Sequence, residues 1–135
     1  MNKYEAQVRK FYSEIWEKKN FEEIPNVLHS DFVFRGSLGQ EKRGYEGFKE
    51  YVEYVHSALN GYRCIVEDIV VQPEAAFAKM IFTGTHQAEF MGYPPTYREV
   101  SWAGAALFKF SGHKVSSLWV LGDLKGLEQQ LGNKT

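Results

Sequence analysis

Asn60-Gly61-Tyr62-Arg63-Cys64-Ile65-Val66-Glu67-Asp68-Ile69-Val70-Val71-Gln72-Pro73-Glu74 is the stretch on which the reading of the fold turns. Before it, apolar residues recur about every 3.6 positions; from Tyr62 onward they recur at every second position, the spacing of a strand. Asn60-Gly61 reads as the close of a helix and Pro73-Glu74 as a turn. Helices come first, strands second.

On the N-terminal side, Val8, Phe11, Tyr12, Ile15 and Trp16 fall on one stripe of a helix over about 3–18. Asn20 and Glu23 read as a capping box for a short second helix carrying Ile24, Val27 and Leu28, with Pro25 in its first turn. Residues 31–35 alternate as a short strand that ends in the Gly36–Gly39 loop. A third helix, about 45–59, buries Phe48, Val52, Val55 and Leu59. On the C-terminal side, strands are expected at 62–72, 75–88, 97–110 and 114–121. A last helix over 124–131 ends at Gly132, before a polar tail. Helices that precede a bent antiparallel sheet pack on one of its faces, so the fold class is α+β in a single domain, 1–135.

Composition narrows the function classes. A chain of 135 residues with net charge −1 lacks the basic field that holds a phosphate backbone, so no nucleic acid is expected as partner. Its one cysteine, Cys64, has no intrachain partner and cannot build a cysteine zinc site. His29, His56 and His113 have no ligand spacing and read as solvated, so no metal is expected. The start of the chain has no apolar leader and no membrane span is apparent, which together predict a cytoplasmic protein. The ten Phe, eight Tyr and three Trp point to a large core or an aromatic-lined pocket.

Two places carry chemistry. Gly84-Thr85-His86 brings an imidazole to the end of an apolar strand, just before the Gly92-Tyr93-Pro94-Pro95-Thr96 loop. Trp119-Val120-Leu121-Gly122-Asp123 runs an apolar strand into a carboxylate. Parity puts Met80, Phe82, Gly84 and His86 on one face, and Val115, Ser117, Trp119, Leu121 and Asp123 on one face, provided no bulge intervenes. Asp123 then has two open roles. Desolvated beside Trp119 and Leu121 it becomes a general base; as the residue before the last helix it is the N-cap. His86 likewise either lines a pocket or bonds a loop carbonyl. Trp16, Phe34, Phe82, Phe90, Met91, Tyr93, Trp102, Trp119 and Leu121 are the further candidates for lining a substrate pocket, and Arg35 either steers an anionic ligand there or pairs with Glu41 or Asp31. Leu107, Leu118 and Val120, read as outward-facing beside Ala103 and Ala105, are too apolar for water and predict a homodimer through the sheets.

The run from Gly84 to Thr96 resembles the G-T-H-x-G-x-F-x-G-x-P-P-T-G pattern of the SnoaL-like polyketide cyclases and ester cyclases of the NTF2-like superfamily. Trp119, Asp123, Gly126, Leu127, Gln130, Leu131 and Gly132 match that family's W-x-x-x-D-x-x-G-L-x-x-Q-L-G ending, and Gly44-Tyr45-Glu46-Gly47-Phe48 its G-x-E-G-F/L segment. The resemblance implies a cone-shaped half-barrel: a curved sheet plugged by three N-terminal helices, with a short C-terminal helix. It implies Asp123 as acid/base and His86 as pocket histidine. The chemistry it implies is enolisation and aldol-type ring closure of a small apolar or aromatic carbonyl compound, without cofactor. A ketosteroid-isomerase-like isomerase and a noncatalytic small-molecule binding protein are the alternatives on the same scaffold. The chain departs from the pattern at Ala88 and Tyr97, where glycine is usual, and at Leu118 and Val120, where many relatives carry an acid on one or both sides of the tryptophan.

Overall fold

The computed structural model describes residues 2–132. Helix α1 (Lys3–Lys10) passes into a π-helical segment (Phe11–Glu17), followed by a 3-10 turn (Phe21–Glu23) and α2 (Ile24–Val27). Then come β1 (Leu28–Arg35), β2 (Glu41–Arg43), α3 (Gly44–Ala58), β3 (Leu59–Gln72), β4 (Ala75–His86), β5 (Glu99–Ser111), β6 (Lys114–Gly122) and α4 (Leu124–Gly132). The six strands form one sheet in the order β2-β1-β6-β5-β4-β3, antiparallel except where β1 runs parallel to β6. Helices on one face of this α+β sheet give the NTF2-like architecture. Among the described residues no helix is long and apolar enough to cross a membrane. The polar tail after Gly132 lies outside the described residues.

The expected first helix begins at an Asn2 cap, whose side chain accepts from the Tyr4 amide at 2.7 Å, and then widens. From Phe11 it runs with π geometry, and its last turn closes with Lys18 N–H donating five residues back to the Ser13 carbonyl at 3.3 Å. All five residues of its predicted stripe are buried. Ring contacts fix them: Phe11 meets Phe48 at 5.5 Å and Phe108 at 5.6 Å between centroids, and Trp16 meets Tyr62 at 5.3 Å.

Three local expectations change. Asn20 makes no capping bond; its amide donates to Glu14 at 3.4 Å instead. Leu28 opens β1 rather than closing α2, and the short β2, unforeseen in a charged Glu-Lys-Arg stretch, pairs Val33–Arg35 with Glu41–Arg43. Asn60-Gly61 does not end α3, because β3 starts at Leu59; Gly61, at φ +68, sits in a bulge between the Asn60–Thr85 and Arg63–Thr83 pairs. Only glycine adopts that left-handed backbone at no steric cost, so the signal was right about the conformation and wrong about the element.

Parity holds on β4, where Met80, Phe82, Gly84 and His86 all point inward and are buried. It fails on β6. One extra residue, Ser116, stands between the pairs Phe110–Val115 and Lys109–Ser117, and this bulge turns every later side chain to the opposite face. Val115 is buried, and beyond the bulge so are Leu118 and Val120, whereas Trp119 is 46% and Leu121 49% exposed. The outward assignment of Leu118 and Val120, and the inward one of Trp119, Leu121 and Asp123, are therefore reversed.

Candidate functional site

Inside the cone lies a small hollow. Its walls are Phe11, Tyr12 and Trp16 of the π-helical segment, Phe34 and Ser37 at the end of β1, and Tyr51 of α3. The sheet adds Tyr62 and Cys64 from β3, Phe82 from β4, and Leu118 and Val120 from β6. The free space is about 20 Å³, room for roughly one water molecule. Gly104 lets the Phe82 ring lie down against β5: a Cβ there would stand 2.0 Å from it. Gly36 does the same for Tyr51, whose ring lies 2.6 Å from the place a Cβ would take.

The polar groups of this hollow are three phenols, a thiol and the Ser37 hydroxyl. Burial pushes Tyr12 and Tyr62 well above the ordinary tyrosine value, Tyr51 up to about 12 and the Cys64 thiol up to about 12. All four stay protonated at neutral pH and so keep a proton to donate. Cys64 Sγ faces Tyr62 Oη at 3.6 Å. Tyr12 Oη and, deeper beside the Phe82 and Tyr62 rings, Trp102 Nε1 are buried with no partner among the described residues.

Of the sequence-derived pocket residues, Trp16, Phe34 and Phe82 line the hollow. Trp102 is buried against the lining rings of Tyr62 and Phe82, and Phe90 is buried one ring further out, 6.4 Å from Trp102 and stacked on Tyr54 at 5.7 Å. Met91 and Tyr93 belong to the loop after β4, Tyr93 with its hydroxyl 3.3 Å from Glu128 of α4. Trp119 and Leu121 lie on the outer face. Arg35 is beside them: it donates to the Val120 and Gly36 carbonyls and lies 5.7 Å over the Trp119 ring, instead of pairing with Glu41 or Asp31. Sequence reasoning missed Tyr12, Tyr51, Tyr62 and Ser37 as pocket groups. Tyr12 was visible as part of the helical stripe, but its hydroxyl carried no signal of its own.

His86 is fully buried, and the Thr96 amide donates to its Nδ1 at 3.1 Å. An amide can only donate, so Nδ1 accepts and the ring proton sits on Nε2, which is buried without a partner among the described residues. The Thr96 hydroxyl also lies 3.1 Å from Nδ1. The imidazole thus ties the Gly92–Thr96 loop back onto β4. Asp123 is exposed, and its carboxylate accepts from the Gly126 amide at 3.0 Å, the N-cap of α4. Among the described residues no hydrogen bond or ion pair joins His86 to Asp123. His56, read as solvated, is half-buried; its Nε2 lies 2.6 Å from the Trp16 carbonyl and burial lowers its pKa.

The cap yields a direct expectation. Asp123→Ala loses about 1 kcal/mol of stability, while Asp123→Asn, an equally good cap, is neutral. Urea titration of both variants checks it: equal losses in the two would show that the charge, not the capping bond, matters.

A sequence profile of the SnoaL-like polyketide cyclases matches residues 6–131. No curated protein matches the chain. Among solved structures, a SnoaL-like polyketide cyclase from Agrobacterium tumefaciens superposes with a TM-score of 0.81 at 20% identity, covering 98% of this chain and 100% of that one. TsrD from Streptomyces laurentii gives 0.84 at 22% identity over 96% and 95% of the two chains. At such identities the likeness speaks for the fold, and the profile, which spans nearly the whole chain, speaks for the family. This chain belongs to the SnoaL-like polyketide cyclase family.

Proposed function

We propose that the protein takes up a small, neutral, largely apolar carbonyl compound in the aromatic hollow and holds it without turning it over. The observation that carries this reading is the chemistry of the lining: eleven side chains, none of them a carboxylate or an imidazole. Enolisation needs a base close to the carbon acid. The positions flanking Trp119, where many relatives carry an acid, face the hollow here as Leu118 and Val120. Phenol and indole donors remain, suited to hydrogen-bonding a carbonyl oxygen in a dry site.

The family's cyclase chemistry is the second reading, and the unpartnered Nε2–H of His86 favours it, as a donor to a developing enolate. Proton exchange separates the two. Acetophenone in D2O, followed by NMR with wild type and with Asp123→Asn, is expected to bind and to exchange its methyl protons at the buffer rate in both samples. Accelerated exchange by the wild type, lost in Asp123→Asn, would replace the binding reading with the enzymatic one.

The outer face supports a second copy of the chain as partner. Arg35, Trp119, Leu107, Phe77 and Val70 stand side by side across five strands in register, and four of the five are large exposed hydrophobic side chains. A row of that kind is unfavourable in water and self-complementary about a two-fold axis. Light scattering after size exclusion is expected to give a dimer mass, and Trp119→Glu a monomer; a monomeric wild type at micromolar concentration rejects the proposal. A cytoplasmic location completes the reading, in keeping with a lone thiol that has no disulfide partner in the chain.

A further inference from the structure

The hollow shares a wall with a surface groove of about 280 Å³ that runs between the π-helical segment and the edge strand β3. Arg9, Ser13, Glu17 and Val66 border the groove alone, whereas Tyr12 and Cys64 line both spaces. The Tyr12 ring is the larger part of that wall. It is held by ring packing, edge-on to Phe11 at 4.9 Å and to Phe108 at 5.9 Å, and its buried hydroxyl has no partner among the described residues. Swinging the ring toward the groove therefore breaks no hydrogen bond and gives the hydroxyl access to water. The backbone beneath it is π-helical, a geometry that is rare and concentrated at functional places.

We propose that ligand enters the hollow through this groove, with the Tyr12 ring as the door and its hydroxyl as the donor to the ligand's carbonyl oxygen. The proposal rests on the binding reading above and adds the route and the anchor. With the ring swung out, hollow and groove become one space large enough for a molecule the size of acetophenone, and the Tyr12 hydroxyl lies on its boundary, where the carbonyl oxygen of the seated ligand takes the place of water as its acceptor. Arg9 and Glu17 at the rim leave the groove mouth wet without favouring either sign of charge, consistent with a neutral ligand.

Entry through a door leaves a kinetic mark. Acetophenone and ethylbenzene are mixed with wild type, Tyr12→Phe and Tyr12→Ala by stopped flow, with binding followed by tryptophan fluorescence. For the wild type the observed rate is expected to level off as ligand concentration rises, because ring opening becomes limiting, and for Tyr12→Ala to keep rising in proportion. Tyr12→Phe is expected to weaken acetophenone up to about tenfold and leave ethylbenzene unchanged, the size of one buried hydrogen bond. A wild-type rate that stays proportional to concentration while both compounds bind overturns the door and leaves the binding reading standing, and this arm holds even if Tyr12→Ala fails to fold. Equal acetophenone affinity in wild type and Tyr12→Phe overturns the anchor. If neither compound binds the wild type, the binding reading fails and the door with it.

Discussion

Raising the pH from about 9 to about 12 is expected to unfold this protein, through the buried phenols and the thiol of the hollow. An unfolded tyrosine ionises near pH 10, whereas Tyr51 in the fold is pushed to about 12, and Tyr12 and Tyr62 are raised as well, each by burial. Cys64, with an ordinary value of 9.0, is pushed to about 12 by the same cause. Between the two values of each group, the unfolded chain has released a proton that the folded chain keeps. Rising pH therefore draws the equilibrium toward the unfolded state by about 1.4 kcal/mol per pH unit for each such group. The stability is intact below the unfolded values and lost as pH climbs toward the folded ones. Tyr51 alone accounts for about 3 kcal/mol across its range, a large part of the stability of a domain this size. The melting temperature should be flat from about pH 7 to 9 and then fall steeply, and Tyr51→Phe should flatten the fall. All eight tyrosines ionising near pH 10 with native circular dichroism would contradict it.

Phe11→Ala is the substitution with the largest expected loss. Its ring is fully buried, meets Tyr12, Phe48 and Phe108, and forms part of the hollow's wall. Removing a packed phenyl group costs about 3–5 kcal/mol, from lost transfer energy and from the void left behind. The void adjoins an existing hollow, so collapse is hindered and the upper part of the range is expected. Urea unfolding should show a lower midpoint with an unchanged slope. Ethylbenzene, which fits an apolar void, should recover part of the loss; a change below about 1 kcal/mol would mean that the three neighbouring rings close over the gap.

Much of the fold was legible because burial imposes a period. The stripe Val8–Trp16 and the alternation Met80–His86 could satisfy their apolar faces in only one way each, and the structure buries both. The cap role of Asp123 was legible too, as one of two, because Asp before a helix serves the orphan amides of its first turn. Neither the inner face of β6 nor the true polar groups of the hollow could be read. A single extra residue, Ser116, reverses parity, and nothing in Lys114-Val115-Ser116-Ser117 distinguishes a bulge from regular strand.

The amino-acid sequence by itself determined that helices precede the long strands, the apolar faces of the first and third helices and of β4, and the membership in one family, because these depend on local spacing. Tertiary structure alone decided that Leu118 and Val120 look inward, that Trp119 and Leu121 look out, and that Tyr12, Tyr51 and Tyr62 converge from a π-helical segment, a helix and an edge strand. Those placements follow from register between strands and from the packing of distant rings, quantities that no single segment contains.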